Sequence, residues 1–485
     1  MNIYSISLLL ISFILISAVI NSALKVTVLG SVFSRGLRLG FSLGFGPLLL
    51  SFLLTSLFFF LPGLSKISYI LIVIVFLVVC FYLTENKKIQ ATPSENCLGV
   101  SDFSSGFGKP IDVLLVILIV VSLLILFLSV LTIPLYSNDP LEYFKTAEVL
   151  AHEVDLFFYP VSDVTVGNGF YGPWTHPPGY AGMLVWGVFI DSFFDTSAPG
   201  SGRFIGWYYC VASLFLLLAW TKNQGLVACL FFIAAPIYFA GVSSSHIDAP
   251  RVFPILATFV IFQQALIDTS AFKTNGFIVL SAVSLACCFF LHSIGMIIAP
   301  LWGLLVLVLY PGSLFQKAFR GGLVFLLLAL LVAPFLYSNY QTLGRVLSDT
   351  PEVWALDEIR HTDFIAAQRN LGSGTKKVTN GILKGWFKLR SFGLMYWAAI
   401  IGIFLFILKV IRQRQKKYHK FINEHSLEIT SVGVVLVYFG MAVVATLLGS
   451  DAFIKNDRYF LTIHPFVAFL GAVGASWLIR RLFHD

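Results

Sequence analysis

A helix needs about 20 mostly apolar residues to cross the hydrocarbon core of a bilayer, and this chain supplies such runs repeatedly. They lie near 3–23, 38–61, 68–84, 113–136, 203–221, 224–242, 252–271, 276–292, 295–310, 321–338, 392–411, 429–448 and 460–480, thirteen in all. Backbone polar groups find no water inside lipid. Runs this long, without the two-residue alternation of barrel strands, are therefore helices. Composition agrees: 58% of the 485 residues are hydrophobic and 12% charged, with mean hydropathy +0.88, whereas a soluble domain carries about 25% charged residues. The expected fold is all-α, a polytopic transmembrane bundle of about 13 spans.

The net charge of +8 does not point to nucleic acid, because Lys and Arg gather at the ends of the apolar runs rather than along one stripe. Their placement sets a topology. The run 179–194 is apolar but short and interrupted by Asp191. Read as an interfacial helix, it leaves Lys25, Arg35, Arg38, Lys87, Lys88, Lys109, Lys222, Lys273, Lys317, Arg320, the 409–420 cluster, Arg480 and Arg481 on one face. Read as a span, it scatters them over both faces, against the positive-inside rule. The interfacial reading makes the basic face cytoplasmic and sends 137–202, 243–251, 339–391 and 449–459 to the other side. The expected location is the cell (inner, cytoplasmic) membrane, with these four loops facing periplasm or exterior. The first run lacks the basic flank of a signal peptide and is expected to stay as a span. Five of the six cysteines lie within apolar runs and Cys97 in a basic loop, so they read as buried filler rather than a disulfide framework.

Most of the chemistry-bearing residues fall in the outer loops. Asp139, in SNDPLEYF directly after a span, can serve as a general base or simply N-cap the helix 140–152 that Pro140 opens. FYGPWTHPPGYAG carries His176, Pro177 and Pro178, whose two prolines fix an extended approach and start a helix, with Tyr180 at headgroup depth. His246, Asp248 and Arg251 lie within six residues at a membrane boundary, where ionisable groups are costly; local pairing of Asp248 with Arg251 is the plain alternative. His292 sits in an outward hairpin, as a ligand contact or a structural hydrogen-bonder. Lys455, Asp457, Arg458 and Tyr459 stand just before the last span, with Arg458 suited to a lipid phosphate or to headgroup anchoring. The 339–391 loop holds Arg345, Arg360, His361, Arg369, Lys376, Lys377, Lys384, Lys388 and Arg390, partly offset by Asp349, Glu352, Asp357, Glu358 and Asp363. So many cations on an outer loop run against the bias, which favours phosphate or lipid binding over solvation.

The order of these motifs, from about residue 113 to 480, resembles the GT-C glycosyltransferases that use polyprenyl-phosphate sugars. The likeness is to relatives of the protein O-mannosyltransferases and the lipid A aminoarabinose transferase. The resemblance implies a catalytic domain over 113–480, preceded by extra spans 1–3 and a cytoplasmic loop in 1–112. It implies catalytic roles for Asp139 and Asp248. Donor phosphate or lipid would be bound by Arg458, Lys455, Tyr459 and His292. Glu142, His176, Pro177, Pro178, Tyr180, His246 and Arg251 would shape the cavity. Where relatives often carry Asp-Glu, this chain has Asp139–Pro140 with Glu142 nearby, and His292 stands where they carry Lys-Gly. The implied reaction is an inverting transfer of sugar to an envelope glycan, lipid or protein, with no obligatory cofactor or metal. The implied partners are the polyprenyl-phosphate-sugar donor, that acceptor and membrane lipids, not nucleic acid.

Two rival classes stand beside it. A lipid-linked glycan flippase would place ionisable residues at mid-membrane in broken helices, and here they gather at one face. A glycan polymerase or ligase shares the polytopic plan but not the order of His-Pro-Pro and Asp-x-Pro.

Overall fold

The structure, a computed structural model, describes residues 2–25, 33–85, 109–135, 138–153, 177–195, 200–267, 275–292, 295–343, 346, 372–413, 418–449, 453–454 and 457–483. Most of these residues are helical and none lies in a strand. The helices are α1 (Ile3–Lys25), α2 (Arg35–Phe60), α3 (Lys66–Glu85), α4 (Lys109–Thr132), α5 (Asn138–Glu153), α6 (Gly179–Ser192), α7 (Ile205–Thr221), α8 (Gly225–Ala234), α9 (Pro236–Ser243), α10 (Asp248–Ile267), α11 (Asn275–Leu291), α12 (Gly295–Leu309), α13 (Leu314–Leu343), then short turns over 374–392, and α14 (Met395–Arg412), α15 (Tyr418–Leu447) and α16 (His464–Phe483). Among the described residues nine helical segments are long and apolar enough to cross a membrane, with three shorter apolar helices besides. The protein is a multi-pass, all-helical membrane protein.

One of the nine, Ser201–Ala234, is a hairpin rather than a straight rod. Lys222 takes a left-handed φ of 49°, and the chain folds back on itself. The Cys229 thiol meets the Leu214 carbonyl at 3.4 Å, Cys210 bonds Tyr238, and Ser245 Oγ donates to the Arg203 carbonyl at 3.2 Å. Residues 203 and 245 therefore share one end of the bundle. His292 and the start of α10 share it too, since Thr258 and Ser284 bond across α10 and α11 at 2.7 Å. Buried hydroxyls of this kind join helices that no hydrophobic effect drives together in lipid.

The returning arm breaks at Pro236. Ala235, before the proline, is extended (ψ 118°), as residues preceding proline prefer, and Pro236 then opens α9 at its first turn. Pro236 has no N–H to give the Phe232 carbonyl. His464 Nε2 supplies that donor at 2.8 Å, with its ring stacked on Tyr238, and so ties α16 to the break.

Helices α1 and α2 pack directly against this hairpin: the Tyr208 and Tyr209 hydroxyls donate to the Leu43 and Gly44 carbonyls, each at 3.0 Å. Helix α6, expected to lie in the interface, is covered by protein. Its 14 residues are too few to span, and both its ends are tied to the same end of the bundle: Tyr180 Oη donates to the Ser245 carbonyl at 2.7 Å, and Asp191 accepts from the Ser201 N–H at 2.9 Å. It does not cross, yet it is buried on nearly every face. Trp186 reaches Ser12 of α1 at 3.0 Å, Ser51 of α2 donates to the Gly179 carbonyl at 2.5 Å, and a Cβ on Gly187 would stand 3.1 Å from the Gly202 backbone. An in-plane helix normally wets one polar face; α6 has none to wet, and protein covers it instead.

Candidate functional site

Four ionisable side chains from two distant stretches close a ring at this end of the bundle. Ser245 turns the chain with a left-handed φ of 58° and delivers His246 and Asp248 to the first turn of α10. Arg251, one turn on, reaches back to Asp248 Oδ1 at 2.7 Å. The same guanidinium donates to the backbone carbonyl of Arg458 at 2.7 Å and lies over the Tyr459 ring, 5.6 Å from its centroid. The ring closes through Arg458, whose guanidinium contacts His246 Nε2 and lies 3.5 Å from Asp248 Oδ2.

A guanidinium only donates, so His246 Nε2 is the acceptor in its contact with Arg458. On its other side the ring faces Asp248: Nδ1 lies 2.9 Å from Oδ2 and 3.3 Å from the Asp248 N–H. Asp248 and Arg251 are each 2% exposed at the side chain and His246 6%, whereas Arg458 is 30% exposed. Arg458 is thus held at both its backbone and its side chain by buried partners while part of its side chain stays exposed. Such an arrangement fixes a positive charge in place before any ligand arrives.

Aromatic rings surround this circuit. Tyr143 of α5 stands edge-on to His246 at 6.0 Å and to Tyr180 at 5.3 Å, and His292 stands edge-on to Tyr459 at 6.4 Å. Tyr438 Oη donates to the Tyr459 carbonyl at 2.8 Å. Asp457 accepts from Lys388 at 2.9 Å and from Ser391 at 3.2 Å, which ties the 374–392 turns to the residue before Arg458.

Of the residues singled out in the sequence, His246, Asp248, Arg251 and Arg458 meet directly, and Tyr180, His292 and Tyr459 lie around them. Pro177 and Pro178 are buried at the start of α6, within two residues of Gly179, which packs on Phe290 of α11. His176 and Lys455 lie outside the described residues. Asp139 and Glu142 fall in α5, which begins at Asn138, two residues before the start that the cap reading supposed; their side chains lie outside the description. Sequence reading did not single out Tyr143, Tyr438 or Arg203, and it placed His464 one turn inside the last span without giving it a role. Arg203 is buried and bonds the Ile133 carbonyl; its position at the head of an apolar run disguised it as a flanking charge. Among the described residues no group of three or more His, Cys, Asp or Glu could hold a metal ion.

No protein-family model matches this chain, and no characterised protein shows significant sequence similarity to it.

Proposed function

We propose that the protein is a GT-C-type glycosyltransferase that moves a sugar from a polyprenyl-phosphate donor to an envelope acceptor on the non-cytoplasmic face. The single observation that carries the reading is the closed circuit of Arg458, His246, Asp248 and Arg251, in which only Arg458 reaches the surface. In this reading Arg458 meets the donor phosphate. Charge builds on that phosphate as the C1–O bond breaks, and a preorganised guanidinium stabilises it without reorganising. Polyprenyl phosphate is a stable anion, so it needs no proton on departure.

The acceptor hydroxyl or amine attacks C1 from the opposite side and inverts it. Asp139, one helical turn ahead of Tyr143 in α5, takes the acceptor's proton as general base. Asp248 acts on Arg458 and His246, so its role is to position the phosphate-binding guanidinium. The thirteen-span topology and the assignment of this end to the periplasm or exterior belong to the same proposal, supported by the Lys and Arg at the opposite end.

The test is transfer from a labelled polyprenyl-phosphate sugar to endogenous acceptors in membranes. Asp139→Asn is expected to lower the rate by about 10²–10⁴, the usual contribution of a general base, and Arg458→Ala by about 10²–10³. Full activity in Asp139→Asn would remove the base assignment. A lipid-linked glycan crossing the bilayer with no donor consumed would replace the enzyme by a transporter.

A further inference from the structure

The turns over 374–392 carry five cations, Lys376, Lys377, Lys384, Lys388 and Arg390, and no Asp or Glu occurs anywhere from 372 to 413. This segment is anchored rather than loosely solvated. A π-helical turn, Thr379–Leu383, presses Ile382 inward to full burial. Trp386 packs on Tyr396, Phe439 and Phe460, and Lys388 bonds Asp457. With those side chains fixed, the outward set is defined: Lys376, Leu383, Lys384, Leu389, Arg390 and Leu394 are exposed. Leucines are interspersed among its cations, together with the exposed Thr375, Thr379 and Lys388, and the candidate span Met395–Arg412 begins directly after it.

That span fixes the depth of the patch. Its start must lie near the edge of the hydrocarbon core, so residues 383–394 stand at the level of lipid headgroups. Exposed leucines suit the acyl boundary, and rigid cations between them suit phosphate. A solvated loop needs no apolar residues between its charges, and a protein partner would have to displace lipid to reach them. We infer that this strap is a binding surface for anionic lipid headgroups in the leaflet at the site end of the bundle. The inference does not depend on the glycosyltransferase reading.

The full chain, purified with zwitterionic lipid, is titrated with phosphatidylglycerol and with chain-matched phosphatidylcholine, and retained lipid is counted by native mass spectrometry. Wild type is expected to prefer phosphatidylglycerol. The variant Lys376→Gln/Lys384→Gln/Arg390→Gln leaves Lys388 and Asp457 in place. It is expected to lose that preference by roughly a hundredfold, since each cation near an anionic surface contributes about fivefold. Wild type should also lose most of the preference between low salt and about 0.5 M salt, as screening requires. An undiminished preference in the folded variant overturns the proposal. So does a wild-type preference that ignores salt, which decides the matter even if the variant fails to fold. Displacement of the lipid by millimolar inorganic phosphate would also overturn it, by showing a free-phosphate site instead.

Discussion

The two ends of the bundle hold ion pairs of nearly equal length that do different work. At the basic end Lys409 meets Glu428 at 2.9 Å, with 42% and 16% of the two side chains exposed. At the site end Arg251 meets Asp248 at 2.7 Å, with 2% of each exposed. Water screens the first pair, and its net worth is small. The second pair has given up its hydration and is held by every neighbour it has, so losing one member strands the others. The basic end acts through number and sign: any Lys or Arg there biases orientation. The site end acts through position, and its charges are not interchangeable.

The sharpest way to break this contrast is Asp248→Asn. It removes the carboxylate that Arg251, Arg458 and His246 share, and it is expected to destabilise the protein by about 3–5 kcal/mol, read as a lowered thermal midpoint in detergent. Next is His464→Phe, midway between the ends, which leaves the buried Phe232 carbonyl without a donor. The expected cost is about 1–3 kcal/mol; a midpoint equal to wild type would mean that water fills the place of the ring. Lys409→Met at the basic end should cost no more than about 1 kcal/mol. If it matched Asp248→Asn, the distinction between the ends would collapse.

The smallest effect concerns Asp191, a buried carboxylate that accepts hydrogen bonds from Ser201 and feels the charge of the N-terminal amine. Burial raises its pKa above the ordinary 3.8, partly offset by bonds from Ser201 and Ser5. A raised carboxylate pKa means that the folded state holds its proton more tightly than the unfolded chain does. Its contribution to stability is therefore fully present below the unfolded value and is lost as pH rises through the folded one. In Asp191→Asn the part of the pH–stability curve that lies above pH 3.8 should flatten. A slope equal to wild type would assign the dependence to another group.

Helical structure occurs at every one of the thirteen apolar stretches, because span length and apolarity are local properties of a chain in lipid. The cluster was legible only as candidates. His246 and Arg458 lie 212 residues apart, and nothing in either segment announces the other. Pro236 made it visible that the Phe232 carbonyl would lack its helical donor; that His464 would be that donor depended on packing. The burial of α6 had a readable sign. Its run from Gly179 to Ile190 contains no charged residue, and a helix lying in the headgroups would need a polar face.

The setting of α6 also constrains the order in which the protein can be made. Its walls come from Ser12 and Ser51, translated long before it, and from Phe290, translated about a hundred residues after it. A nascent chain must therefore carry this apolar helix with one flank open until α11 has emerged. Chains stopped before Asn275 are expected to be cut by protease within 179–192, while full-length chains resist.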